Sequence, residues 1–319
     1  KRSTVIWLII AAALVIIGGI IFCIVMIRGK WNFTSLDTEN YITRTVDIDK
    51  SFENISFETD VDEIAFAPSE DGKCRVEFYE IEDRPHTADV SEGTLCIASD
   101  KTGGWHISFT ISSPKITLYL PLKEYGSLMI NEDTGNIYIP HDFAFDSIDI
   151  TASTGNVGCF ASAADKIRII LSTGNISIDG VSAKDAELQV STGAIIVSNA
   201  AVSNMFSTSV TTGRSEYTNV TCRGFTSTGS TGRINLNNVI VSETLSVERS
   251  TGDVIFDGCD AAEINVKTDT GDVMGTLLSE KVFLTSSDTG DIDVPKTTSG
   301  GTCEIITDTG DISIEISRQ

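Results

Sequence analysis

The chain has 319 residues, with 23 Lys+Arg against 45 Asp+Glu and a net charge of −22. That excess of carboxylate argues against a nucleic-acid binder, since affinity for phosphate rests on Lys and Arg, and against a peripheral protein held on anionic lipid by a basic patch. His86, His106 and His141 lie far apart, with no Cys or acidic partner at ligand spacing. No zinc site of the usual kind is expected, and no metal or cofactor is assigned.

Val5 to Ile27 is 23 residues without a charge. As a helix it reaches roughly 34 Å, enough for a hydrocarbon core about 30 Å thick. A cleaved signal peptide would have a shorter apolar run and a small-x-small site, whereas this run ends in Arg28-Gly29-Lys30. Residues 1–30 are therefore read as an uncleaved, single-pass transmembrane anchor. Lys1 and Arg2 balance Arg28 and Lys30, so flanking charge does not orient it. A short amino-terminal tail ahead of a long domain places that domain outside the cell membrane. Residues 31–50 read as a polar juxtamembrane linker.

Beyond them the chain repeats. Thr-Gly recurs with the glycine at Gly135, Gly155, Gly174, Gly193, Gly213, Gly232, Gly252, Gly271, Gly290 and Gly310, at intervals of 19 or 20 residues. Seven residues before each glycine stand Leu128, Ile148, Ile167, Ala186, Phe206, Phe225, Leu245, Ile264, Phe283 and Cys303, all apolar. Two residues after it stand Ile137, Val157, Ile176, Ile195, Ser215, Ile234, Val254, Val273, Ile292 and Ile312, with Ser215 the exception. Apolar and polar residues alternate on both sides of the glycine, which is the pattern of two half-buried strands per repeat. A period of 19–20 leaves no room for a helix or a propeller blade.

The fold expected is all-β, a parallel β-solenoid of 19–20-residue coils behind one amino-terminal transmembrane helix. Ten coils at a strand spacing of about 4.8 Å make a rod roughly 48 Å long. Residues 131–319 form the regular Thr-Gly repeat solenoid and residues 51–130 a degenerate amino-terminal portion that caps it. There Ile55 to Phe66 fits the repeat with Val61-Asp62 in the Thr-Gly position, and Val76/Phe78, Leu95/Ile97, Ile107/Phe109/Ile111 and Ile116/Leu118/Leu120 supply further strands. By parity the repeated Thr points inward, and the glycine supplies positive φ.

Catalytic chemistry is not expected. Asp-Thr-Gly at Asp133, Asp269, Asp288 and Asp308 matches the aspartic-protease triplet, but that reaction needs two carboxylates sharing a proton. Here the triplet is a variant of Ser-Thr-Gly at a turn. The near-constant interval also excludes the long insertions that build a cleft. Asp269/Asp272, Asp288/Asp291 and Asp308/Asp311 flank one corner in three consecutive repeats, either as a solvated acidic edge or as a ladder bridged by calcium. Cys159, Cys259 and Cys303 fall on apolar columns, Cys23 lies in the membrane run, and Cys74, Cys96 and Cys222 show no disulfide spacing.

Segments such as Ser172-Thr173-Gly174-Asn175-Ile176-Ser177-Ile178 and Asp308-Thr309-Gly310-Asp311-Ile312-Ser313-Ile314, with Lys115 to Pro121 ahead of the first unit, resemble a bacterial β-strand-repeat adhesin family, a domain of unknown function. The resemblance spans roughly residues 50–319 and implies a fold but no catalytic residues. Two functions follow as expectations. One is a non-enzymatic surface scaffold or binding rod of the cell envelope, meeting an envelope protein or polymer. The other is a regulatory component of an envelope-stress response that binds a protein partner or a cationic antimicrobial ligand. The soluble domain is expected to be monomeric at low salt, because Asp308, Asp311, Glu315 and Arg318 blunt the final coil and its carboxylates repel a second copy, with any self-association strengthened by screening or by a divalent cation.

Overall fold

The computed structural model describes residues 2–28, 40–99 and 113–317. Helix α1 (Arg2–Arg28) contains a stretch, Ile10–Arg28, of mean hydropathy 3.1, long and apolar enough to cross a membrane. The rest is strand. In chain order these are β1 (Tyr41–Ile48), β2 (Asn54–Thr59), β3 (Glu63–Pro68), β4 (Cys74–Ile81), β5 (Thr87–Ser91), β6 (Thr94–Ala98) and β7 (Lys115–Leu120). The regular coils begin with β8 (Glu124–Thr134), β9 (Ile137–Ile139), β10 (Ala144–Thr154), β11 (Val157–Cys159), β12 (Ser162–Asp179), β13 (Ser182–Ala183) and β14 (Asp185–Thr231). They end with β15 (Ile234–Thr251), β16 (Val254–Thr270), β17 (Val273–Leu277), β18 (Lys281–Thr289), β19 (Ile292–Asp293), β20 (Gly301–Thr309) and β21 (Ile312–Ile316).

Each coil stacks in parallel on its neighbour with the repeat in register. Leu128 faces Ile148 and Ile148 faces Ile167. The column just past the glycine follows suit, with Val157 against Ile176 and Ile176 against Ile195. One apolar core runs through the stack. No single coil could bury that face alone, so neighbours stabilise one another. The repeated glycine sits where coils touch most closely. A Cβ built on Gly193 would lie 1.8 Å from the carbonyl oxygen of Gly174, and its φ is 144°. Both facts demand glycine.

The repeated Thr does not point inward. All ten, from Thr134 to Thr309, are exposed, as are the residues just before them. Period-two counting fails at this corner because the backbone turns there. The residue three before the glycine is the last one facing the core, and the bend carries the next two to the convex side. A second corner was not recognised in the sequence. Gly180, Asn199, Asn219, Asn238 and Gly258 all have φ between 50° and 65°. Their 19–20-residue spacing was the available signal, and Asn is the non-glycine residue that best tolerates this conformation.

The two ends are threaded out of chain order. At the amino-terminal end β2 and β3 lie between β6–β7 and β8–β9, so the coil first in sequence is second in space. Asp62 occupies the glycine position, its carbonyl oxygen against Gly135. Antiparallel strands then seal the end. β5 pairs with β6, β4 with β7, and β1 with β4. The Val76/Phe78 strand is thus part of a lid rather than a coil, and the end of the segment read as linker, Tyr41–Ile48, is a strand. Its inner face of Ile42, Arg44, Val46 and Ile48 alternates correctly, but Arg44 hid the apolar series. The expected strand at Ile107/Phe109/Ile111 lies outside the described residues.

At the far end β20 and β21 insert between β16–β17 and β18–β19. The last coil of the rod is therefore the Gly290 coil, and the Gly310 coil expected there is internal. Far-UV circular dichroism of the full chain should show strand throughout, with helix no greater than the 27 residues of α1. Helix well beyond that would contradict the solenoid.

Candidate functional site

The outer corner carries the most regular surface. Ten stacked Thr hydroxyls face solvent, and none has a side-chain hydrogen bond among the described residues. Beside them, one residue past the glycine, runs a ladder of Asx side chains. Asn156 and Asn175 each donate a side-chain N–H to the Asn one coil back, at 3.1 and 2.9 Å. Past Ala194, Arg214 and Arg233, which interrupt it, the acidic residues resume the ladder in spatial order. The amide N–H of Asp272 donates to Asp253 at 3.3 Å, that of Asp311 to Asp272 at 2.8 Å, and that of Asp291 to Asp311 at 2.8 Å. The carboxylates of Asp253, Asp272 and Asp311 each accept a neighbouring backbone donor, which accounts for their place in the turn, and Asp291 ends the series. Asp269, Asp288 and Asp308, two before the glycine, are exposed. Among the described residues no group of three or more His, Cys, Asp or Glu is placed to hold a metal ion.

The chemistry-bearing cluster lies elsewhere, inside the sealed end, and sequence reasoning missed it. His86 has acidic partners after all. Its Nδ1 is 2.8 Å from Glu80 and its Nε2 is 3.0 Å from Asp62. Arg44 donates to both oxygens of Glu80, at 2.6 and 3.3 Å, and to the His86 carbonyl at 2.7 Å. Glu132 accepts from the Asp62 amide at 3.0 Å and from the Thr59 hydroxyl. Asp62, Glu80, His86 and Glu132 are all buried. Burial pushes the Glu132 carboxyl up to about 7. Burial would lower His86, but hydrogen bonds and charge from Asp62, then Glu80, outweigh it and hold the ring above its ordinary value. Burial would raise Glu80, and the hydrogen bonds from Arg44 and His86 reverse the sign. The signals were two breaks in the repeat, Asp62 in a glycine position and Glu132 in an inward column.

A cavity of about 170 Å³ adjoins this cluster, lined by Asp60, Asp62, Arg84, His86 and Ser99 among others. It does not make Ser99 a nucleophile. Both ring nitrogens of His86 are engaged by carboxylates, so neither is available to take a hydroxyl proton.

A second polar cluster crosses the middle of the core. Arg249 is 1% exposed in an inward column, and its guanidinium donates to Ser215 and Ser227 hydroxyls at 3.1 and 3.0 Å and to the Thr228 carbonyl at 3.0 Å. A Cβ on Gly229 would lie 1.6 Å from its Nη1. This explains Ser215, the one polar residue in its column, since Ser215 and Gly229 accommodate a single buried cation. Arg249→Met should lower stability by about 2 kcal/mol by orphaning these acceptors, measured by denaturant melting, while the exposed Arg223→Met should change little.

All seven cysteines are free. Cys159, Cys259 and Cys303 are buried, as are Cys74 and Cys222, whereas Cys96 is exposed. Burial pushes the Cys74 and Cys222 thiols up to about 12, so neither is a reactive thiolate.

A family profile, Toastrack DUF4097, matches residues 52–211 and 204–319. Three solved structures are similar to this chain to differing degrees. A crystal structure of a "putative adhesin" from Parabacteroides merdae ATCC 43184 is 14% identical, covers 75% of this chain and 97% of its own, and superposes with a TM-score of 0.52. A "putative adhesin" from Bacteroides fragilis NCTC 9343 is 16% identical over 87% of this chain and 98% of its own, with a TM-score of 0.48. A "putative lipid binding protein" from Parabacteroides distasonis ATCC 8503 is 16% identical over 74% of this chain and 97% of its own, with a TM-score of 0.46. No curated protein matches the sequence.

Proposed function

The chain belongs to the Toastrack DUF4097 family, and from that premise we propose that it is a non-enzymatic, membrane-anchored binding rod of the bacterial cell envelope, an adhesin-like scaffold held by α1 with its solenoid outside. The observation that carries the reading is the contrast between interior and corner. Most buried polar groups of the cap and of the Arg249 cluster pair with one another, Arg249 Nε being an exception, whereas ten Thr hydroxyls stand outward without internal partners among the described residues. A ladder of donors and acceptors at about 4.8 Å suits an extended polymer or protein strand lying along the rod.

Two measurements test this. Replacing Thr173, Thr192 and Thr212 together by Val keeps the branched side chain and removes the hydroxyls. Adhesion of cells displaying the full chain to purified wall polymer or envelope protein should fall at least several-fold, with the melting curve unchanged. Undiminished adhesion rejects the ladder as the binding face. For topology, Cys96 is the exposed thiol of the solenoid. A membrane-impermeant maleimide should label it on intact cells, and Cys96→Ser should abolish that label. Labelling only after lysis would place the domain inside.

A further inference from the structure

The two ends of the rod are finished differently. At the sealed end Leu95, Ile97, Ile116 and Leu118 are no more than 1% exposed beneath antiparallel strands. At the other end, among the described residues, β18 and β19 pair only inward, with β20 and β21. Two core columns open there and nowhere else in the ten repeats. Seven before the glycine, every residue is buried except Phe283. Two after it, nine residues are at most 1% exposed and Ile292 is 43% exposed. Leu284, on the outer face of the same edge, is 53% exposed.

We propose that this open end docks on the open end of a second copy of the chain, by antiparallel pairing of β18 with its own mate about Thr285, joining two rods tail to tail. The fold already accepts such a strand. At the sealed end, β4 lies antiparallel on β7, with Val76 against Leu118 and Phe78 against Ile116. Pairing about Thr285 sets Phe283 opposite Ser287 and Leu284 opposite Ser286, so apolar groups meet small ones.

Charge does not forbid it, contrary to the expectation of a monomer. That expectation placed the Gly310 coil at the tip. With β18 at the tip and the strands antiparallel, Asp288 and its copy lie six residues apart, roughly 20 Å, beyond the screening length of about 8–10 Å in physiological salt. The remaining like-charge approach is Glu280 beside the partner's Asp291, at each end of the paired strands. Association should therefore strengthen with salt. Thr285 and Ser287 in inward positions keep the end partly polar, so the contact is small and reversible. Head-to-tail growth is blocked because the other end is covered, which makes the assembly a closed pair. Tyr41 follows Arg28 by 13 residues and enters at the sealed end. With the chain anchored as proposed above, the open tip faces away from its own membrane and pairs rods from facing surfaces.

The full chain in detergent, measured by sedimentation over a range of concentration and salt, tests the pairing. A monomer–dimer equilibrium that tightens with salt is expected, with Leu284→Lys weakening it at least tenfold and Leu122→Lys, exposed elsewhere, leaving it unchanged. Thr285→Cys should form a disulfide-linked dimer on oxidation, because residues on the two-fold lie about 4.5–5.5 Å apart in an antiparallel pair. A monomer under all conditions, or a dimer indifferent to Leu284→Lys, overturns the inference. These outcomes are independent of Thr-ladder adhesion and of Cys96 labelling, so the two readings fail separately.

Discussion

Ile176→Asp should destabilise the rod by several kcal/mol, whereas Ser177→Asp, one residue on, should stay within about 0.5 kcal/mol of the parent. Ile176 is fully buried and stacks between Val157 and Ile195. An aspartate there has no partner, and it either ionises in the core or remains protonated at a cost in free energy. Ile178, Leu188 and Val190, the neighbouring inward positions of the same coil, are likewise buried. Ser177 sits on the outer face, half-exposed, between Gly158 and Ile196, where a carboxylate keeps its water. Because each coil touches only its neighbours, the damage in Ile176→Asp is local, and the single melting transition should split as the two flanks uncouple. Calorimetry or denaturant melting of the full chain checks both effects. Equal losses from the two substitutions would mean the register is shifted by one residue.

The central coils were legible because every signal there is repeated ten times. A column such as Leu128 to Cys303 averages out any single exception, and the close glycine–glycine stacking imposes an invariant residue. What escaped were features that occur once. The parity of the repeated Thr was misjudged because counting by twos assumes a straight strand, and the chain bends at that residue. The swapped order at both ends left no trace in the spacing, since a coil has the same columns whichever neighbour it stacks on. Phe283 and Ile292 mark the outermost coil within their columns, and they do so through exposure rather than identity. The cap cluster was invisible for another reason. Arg44, Asp62, Glu80, His86 and Glu132 come from separate elements, and each alone resembles an ordinary surface charge. Two of them nonetheless break the repeat pattern, and breaks in an otherwise regular column proved the best guide to buried polar chemistry here, as Ser215 and Gly229 show for Arg249.

The cap cluster should make the amino-terminal end of the rod weaken as pH rises from about 5 to 8. Glu132 has its carboxyl raised from 4.5 to about 7 by burial, so the fold holds its proton more tightly than the unfolded chain does. That preference stabilises the cap fully below 4.5 and is lost as pH climbs toward 7, a loss of about 3 kcal/mol. His86 is also raised, so its contribution holds below 6.5 and disappears as pH passes its higher folded value. Glu80 acts in the opposite sense, its lowered carboxyl stabilising the cap above 4.5 and failing only in acid. The three together place maximal cap stability near pH 5. Asp62 in the β2–β3 turn lies against both His86 and Glu132, so Glu132 ionises beside a second acidic side chain just as the imidazolium disappears. Hydrogen exchange reads this locally. The amides of Asp62 and Thr134 donate to Glu132 at 3.0 and 3.3 Å, and their opening free energies should fall between pH 5 and 8 while those of the central coil around Ile176 do not. Glu132→Gln, neutral at every pH, should flatten most of that slope, and His141→Gln, outside the cluster, should leave it intact. A slope that survives Glu132→Gln would mean that the titration governing the cap lies in another group.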